Sequence, residues 1–204
     1  LGEMDAVHEE DEQLAIRKFD LALFGHIIFV MTNIARTLWL GLSHGRLSSK
    51  PVSGIAGLYF QRLNWMSAAF ALTADVALMT LGGALKRKER LSARLGDLLS
   101  ELYIASATLK HFVSSGKREQ ELPLMQWAME DSLYRMQEAL RGLFRNLPVR
   151  PLAWILRFLI FPTGLRFHHP TDRMDKAAAK LLLQPGETRD RLTDHIYTSS
   201  NQDE

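Results

Sequence analysis

Apolar residues recur along most of the chain at three- and four-residue steps, the period of one face of an α-helix. Ile16, Phe19, Leu23, Ile27, Val30, Ile34 and Leu38 form the first such stripe, which fades near Gly41 and Gly45. Ser48-Ser49-Lys50-Pro51 then supplies loop chemistry, with Pro51 disfavouring helix at the residue before it. A second helix is predicted from about Ile55 to Leu81. It carries two stripes: Phe60, Leu63, Ser67, Phe70, Ala74, Ala77, Leu81 and Trp65, Met66, Ala69, Leu72, Val76, Met79. A helix apolar on more than one face is expected at the centre, with neighbours on several sides.

Gly82-Gly83 breaks or kinks that helix. The third has the cleanest spacing, Leu91, Leu95, Leu98, Leu102, Ala105, Leu109 and Phe112, the seam of a helical bundle. It is expected to stop at Ser114-Ser115-Gly116, where glycine accepts a left-handed cap. The fourth starts near Pro123, with Met125, Met129, Leu133, Met136, Leu140, Leu143 and Leu147 as its stripe, so the two form an antiparallel hairpin. Pro151–Phe161 is a short, nearly all-apolar helix closed by Pro162-Thr163-Gly164. Asp172 is placed to cap another through Leu183, ended by Gln184-Pro185-Gly186, and the polar remainder is expected to lie on the surface. The pattern predicts an all-α fold: a largely up-and-down bundle of four long helices with a short helical C-terminal tail. Its parts are an acidic linker over 1–12, a bundle over 13–147, and a tail over 148–204 packed on or beside the bundle.

A length of 204 residues with 47% hydrophobic and 24% charged residues suits one globular domain and argues against wholesale disorder. The chain has no cysteine, which excludes disulfides, thiolate metal sites and a cysteine nucleophile. The net charge of +2 hides an asymmetry. Residues 1–12 hold six acids and no base, and Asp203 and Glu204 close the chain, so residues 13–202 carry +10. The chain opens on Leu1 and an acidic segment, and it is expected to be a piece of a longer polypeptide. Membrane spanning is disfavoured. Leu21–Ala35 is uncharged but short, and Met66–Leu85 carries Asp75 near its centre, where insertion costs about 2.5–3.5 kcal/mol. The second stretch reads as a buried core helix.

Neither a dinucleotide-binding nor a P-loop glycine motif occurs. His168-His169 with Asp172 and Asp175 is the one cluster resembling metal ligands, but adjacent histidines point apart. His26 and His44 read as packing or capping residues. Asp75, Arg94 and Asp97 form a candidate buried polar network, with Arg94 or Arg62 as the partner of Asp75. Glu130-Asp131 reads as solvated surface. Lys86, Arg87, Lys88 and Arg90 form a candidate basic patch for an acidic partner; without interleaved aromatics or a known motif, no nucleic acid is expected. Arg141–Arg166 holds five arginines and no acid beside Phe144, Trp154, Phe158 and Phe161. Arg150, Trp154, Arg157, Phe158, Phe161 and Arg166 are therefore candidates for a membrane or docking surface, burial in the bundle being the plain alternative.

Several blocks in order carry a family resemblance. They are Leu38-Trp39-Leu40-Gly41-Leu42, Tyr59-Phe60-Gln61-Arg62-Leu63-Asn64, Ser67–Leu72, Ala74-Asp75-Val76-Ala77 and Leu81–Arg90. Ser92-Ala93-Arg94-Leu95-Gly96-Asp97-Leu98-Leu99-Ser100 is the strongest, followed by Leu102–Ala107, Leu122-Pro123-Leu124 and Ile160-Phe161-Pro162-Thr163-Gly164. Over residues 14 to 197 the chain resembles the C-terminal region of the long, bacterial FadE-type acyl-coenzyme A dehydrogenases.

The resemblance implies a parent flavoenzyme of fatty-acid β-oxidation, oxidising acyl-CoA to trans-2-enoyl-CoA. The FAD and the catalytic glutamate would lie upstream, leaving no catalytic, cofactor-binding or metal residue in this chain. The implied partners are the catalytic core of the same chain, a second copy in a homodimer, and an anionic membrane surface. The implied location is the bacterial cytoplasm, peripheral on the inner membrane. Very-long-chain acyl-CoA dehydrogenases are similar in architecture, appending a helical domain associated with dimer packing and membrane attachment.

Overall fold

Each apolar stripe becomes a helix in the computed structural model, which describes residues 12–194. The helices are α1 (Glu12–Ser43), α2 (Ile55–Leu81), α3 (Glu89–Ser114), α4 (Leu122–Asn146), α5 (Arg150–Ile160), α6 (Asp172–Leu183) and α7 (Glu187–Thr193). Two short 3-10 segments, Gly82–Arg87 and Glu119–Glu121, join α2 to α3 and α3 to α4, and no strand occurs among the described residues. The acidic linker, apart from Glu12, and the closing Asp203-Glu204 lie outside the described residues.

The helix ends follow local chemistry. α1 stops in a Schellman motif, in which the Gly45 amide donates to the Leu40 carbonyl at 2.8 Å and the His44 amide to Gly41 at 3.3 Å. His44 takes the left-handed position usually given to glycine, at φ 53°. α3 ends the same way at Gly116, with φ 87° and the Lys117 amide donating to Phe112 at 3.0 Å. Gly82, at φ 47°, ends α2 where the glycine pair predicted a break.

α3 and α4 form the most extensive pair. Leu91, Leu98, Leu102, Ala105, Leu109 and Phe112 of α3 are buried, as is the whole predicted stripe of α4 with Leu147 just beyond it. α2 packs on α1, α3 and α4, the central position that its two stripes predicted. α1 packs on α2 and α5, and α5 also packs on α4, so the short helix bridges α1 and α4.

Two buried polar side chains tie the C-terminal segment to the helices. Trp65 Nε1 donates to the Ile160 carbonyl at 3.0 Å, and its ring meets Phe161, Phe167 and His44 at 5.4 to 5.9 Å between centroids. Gln137 Nε2 donates to the Phe167 carbonyl at 2.8 Å, while its Oε1 accepts from the Arg166 and Phe167 amides at 2.9 and 3.0 Å. Ala153, Leu156, Ile160, Phe161 and Phe167 thus enter the same core as α2, α3 and α4.

Two expectations are corrected and a third is extended. The first half of α1 buries no stripe: Ile16, Phe19 and Leu23 are exposed, because α1 meets its neighbours only from about Ile34 onward. The polar segment after Gly186 lies on the surface as expected through residue 194, and within it α7 forms, held to the α3–α4 turn by the Arg191–Glu121 and Arg118–Glu187 ion pairs, the latter at 2.8 Å. Thr171, not Asp172, occupies the N-cap of α6, and Asp175 of that first turn accepts from Trp127 Nε1 at 2.6 Å. By length and composition, Ile16–Ser43 and Ile55–Arg87 are both apolar enough to cross a membrane. α2 spends much of that character on the core between Tyr59 and Leu72, and α1 does not.

Candidate functional site

The antiparallel α3–α4 pairing brings the two basic stretches to one end of the molecule. Arg87, Lys88, Glu89 and Arg90 share an open cavity of about 380 Å³ with Leu91 and with Asn146 of α4. One turn deeper, the Arg94 guanidinium lies over Gly142, within 2.7 Å of where a Cβ would stand. Lys86, Arg87, Lys88 and Arg90 are all exposed.

Beside this end, the last turns of α4 and the stripe Arg150-Ala153-Trp154-Arg157-Phe161 of α5 enclose a second open cavity of about 400 Å³. Arg141, Arg145, Arg150 and Arg157 line it together with Phe144 and Trp154, and no acidic residue does. Arg150 closes the C-terminus of α4, donating to the Phe144 and Arg145 carbonyls at 3.2 and 2.8 Å, a favourable place for a cation. Arg141 pairs with Glu138 at 3.1 Å. The guanidinium groups of Arg145 and Arg157 have no hydrogen-bond or ion-pair partner among the described residues.

The six residues singled out between 150 and 166 do not form one surface. Trp154 and Phe158 are 66% and 62% exposed, with Ile155 exposed between them. Phe161 is only 4% exposed and packs on Trp65, so it belongs to the core. Arg166 lines a different cavity, with Tyr59, Arg62 and Glu130.

The proposed Asp75–Arg94–Asp97 network is not formed. Asp75 Oδ2 is buried with no hydrogen-bond partner among the described residues, Asp97 is exposed, and Arg94 donates to the Arg90 carbonyl at 3.2 Å. Arg62 instead pairs with Glu130 at 2.7 Å, and Glu130 also accepts from the Tyr59 hydroxyl at 2.8 Å. Burial, and then the Glu130 charge and hydrogen bond, hold the Tyr59 phenol well above its usual value, against the opposing charge of Arg62. Glu130-Asp131 is thus no solvated face: Asp131 is buried and paired with Arg135 at 2.7 Å. The sequence signal that was available is that Glu130 stands three and four residues before Leu133 and Tyr134 on α4, but its partners on α2 follow only from the fold.

His44 reaches Thr163 Oγ1 at 2.8 Å and edges onto Trp65, a capping and packing role. Burial, with Arg166 and Arg46 adding to it, lowers its pKa. The side chain of His26 lies outside what is described. His169 edges onto Tyr134 and lies 3.9 Å from Asp131, and no group of three or more His, Asp or Glu able to hold a metal occurs among the described residues.

The family "Acyl-CoA dehydrogenase, C-terminal, bacterial type" matches over residues 1–204. The chain belongs to that family. No solved structure matches it. Membership of an acyl-CoA dehydrogenase implies FAD in the parent enzyme and association of this C-terminal domain with a catalytic core. Among the described residues, an open recess of about 510 Å³ lined by Leu99, Ser100, Tyr103 and Ile104 has no charged group for a diphosphate, whereas the arginine-lined recess of about 400 Å³ offers charge.

Proposed function

We propose that this domain is a non-catalytic accessory part of an enzyme oxidising acyl-CoA to trans-2-enoyl-CoA, and that it packs against the catalytic core. The observation that carries this is the first half of α1. Ile16, Phe19, Leu21, Leu23, Phe24, Ile28, Phe29 and Met31 are all exposed, as are Leu78 and Met79 near the end of α2. Large apolar side chains exposed in that number along one helix mark an interaction site rather than a solvated face. In this reading α1–α4 form an up-and-down scaffold, residues 148–194 brace it, and residues 1–12 link it to the core.

The test is capture of the 204-residue chain by a separately produced catalytic core. Phe24→Glu with Ile28→Glu should weaken capture about tenfold or more, because both side chains would lie in a desolvated interface. Equal capture of wild type and variant rejects the reading. Self-association unaffected by the core would instead assign the face to a second copy.

A second reading rests on α5. Trp154, Ile155 and Phe158 are exposed between Arg150 and Arg157, the composition of an interfacial anchor on anionic lipid at the cytoplasmic side of the inner membrane. Flotation with anionic liposomes should be lost on changing Arg150, Arg157 and Arg166 together to Glu. Equal flotation of wild type and variant removes this reading.

A further inference from the structure

The cavity between α4 and α5 has a charge distribution that the packing role does not use. Four guanidinium groups line it, and among the described residues the only carboxylate engaging any of them is Glu138, which pairs with Arg141 and is not itself in the lining. Arg150 spends its hydrogen atoms on two backbone carbonyls, yet its charge remains. Arg145 and Arg157, one on each wall, have all their guanidinium donors free among the described residues. Arginine presents a planar fork that matches the paired oxygens of phosphate, so two free forks facing one recess form a divalent clamp.

The surroundings reinforce this. α5 begins at Arg150 with no side-chain cap, so its first amides add positive potential at the same end. Arg87, Lys88 and Arg90, opposed there only by Glu89, add net positive charge from the adjoining cavity at the α3 start. Trp154, exposed on the rim, offers an aromatic face to whatever the anion is attached to.

We propose that this recess is a binding site for a phosphate-bearing ligand, with Arg145 and Arg157 as the direct clamp and Arg141 and Arg150 as flanking charges. The inference stands apart from the packing role, which uses α1. The phosphate could be that of a soluble ester or diphosphate, or that of a lipid headgroup, and the two share this chemistry.

Isothermal titration of the 204-residue chain with inorganic pyrophosphate tests it. Wild type should bind, and Arg145→Gln with Arg157→Gln should weaken binding by about tenfold or more for each arginine lost. Arg87→Gln with Lys88→Gln, which removes the same two charges outside the recess, should change it less than about threefold at physiological salt. Binding by wild type to neither pyrophosphate nor anionic vesicles overturns the proposal, and so does an equal loss in both variants, which would mean binding to the diffuse field. Should the double variant fail to fold, tryptophan emission decides: pyrophosphate should change it in wild type and leave Trp154→Phe unchanged, and no change in wild type overturns the site. Vesicles of phosphatidylcholine with and without phosphatidylglycerol separate the sources. Binding to the anionic vesicles without affinity for pyrophosphate assigns the recess to headgroups, and binding to pyrophosphate in solution assigns it to soluble phosphates.

Discussion

Gln137 is a buried side chain that makes three hydrogen bonds to the backbone of a segment thirty residues away. Replacing it by Leu keeps the volume close and removes both the donor and the acceptor, so the effect is polar rather than a cavity. The Phe167 carbonyl and amide then lose their partners beside a buried ring, and the Arg166 amide loses its partner nearer to water. Orphaned buried groups cost about 1–3 kcal/mol each, and partial rescue by water at Arg166 brings the expected total to about 3 kcal/mol. For a chain of this size that corresponds to a fall in Tm of roughly 6–12 °C. Urea unfolding followed by circular dichroism should show the lower midpoint with an unchanged slope. Hydrogen exchange at the Phe167 amide should accelerate in the folded state. Arg141→Gln, which removes only the exposed pair with Glu138, should cost less than about 1 kcal/mol. A loss below about 1 kcal/mol in Gln137→Leu, with Phe167 still protected, would refute the idea that this residue clamps the C-terminal segment.

Other expectations follow from single contacts. His44 has a folded pKa below its unfolded value of about 6.5, so its contribution is present above that pH and is lost as pH falls towards the folded value. His44→Asn, which tolerates the left-handed backbone, should flatten the pH dependence of Tm in that window; an unchanged slope counts against the assignment. A Cβ on Gly41 would stand 2.9 Å from the Leu159 and Ile160 carbonyls, so Gly41→Ala should destabilise by about 1–3 kcal/mol. Gly96 on α3 has open space, and Gly96→Ala should instead stabilise by about 0.5–1 kcal/mol; chemical denaturation that ranks the two alike would contradict the close approach of α1 to α5. The raised Tyr59 pKa keeps its phenol neutral in the folded state, a contribution present below about pH 10 and lost as pH rises beyond it. The native phenolate absorbance step should therefore be the same in wild type and Tyr59→Phe, and a smaller step in the variant would show that Tyr59 titrates normally.

Local signals in the chain were legible where one helix face decides the outcome. The bounds Ile55–Leu81, the Gly116 cap and the buried stripes of α3 and α4 follow from spacing and glycine chemistry. What spacing could not reveal is which stripes find a partner. Ile16, Phe19 and Leu23 have the same period as Leu98, Leu102 and Leu109, yet only the second set lies opposite another helix. Long-range polar contacts were equally hidden: Arg62 chose Glu130 over Asp75, and Gln137 reads as a surface glutamine until the segment at Phe167 folds over it. α7 escaped because seven residues with Leu192 as the one apolar position leave almost no period, and its ion pairs to Glu121 and Arg118 come from tertiary placement. The two basic runs, far apart in sequence, meet only because α3 and α4 are antiparallel. The cavity between α4 and α5 is a product of that meeting, and each arginine alone resembles any surface cation.

The role of α1 as a docking helix is most directly tested by amide hydrogen exchange over residues 16–31, measured in the 204-residue chain alone and in the whole enzyme that contains it. The packing account predicts strong additional protection and loss of apolar exposure in the whole enzyme, with Phe24, Ile28 and Met31 among the covered positions. Equal exchange of this stretch in both would contradict it, because the apolar half of α1 would then remain uncovered when the catalytic core is present.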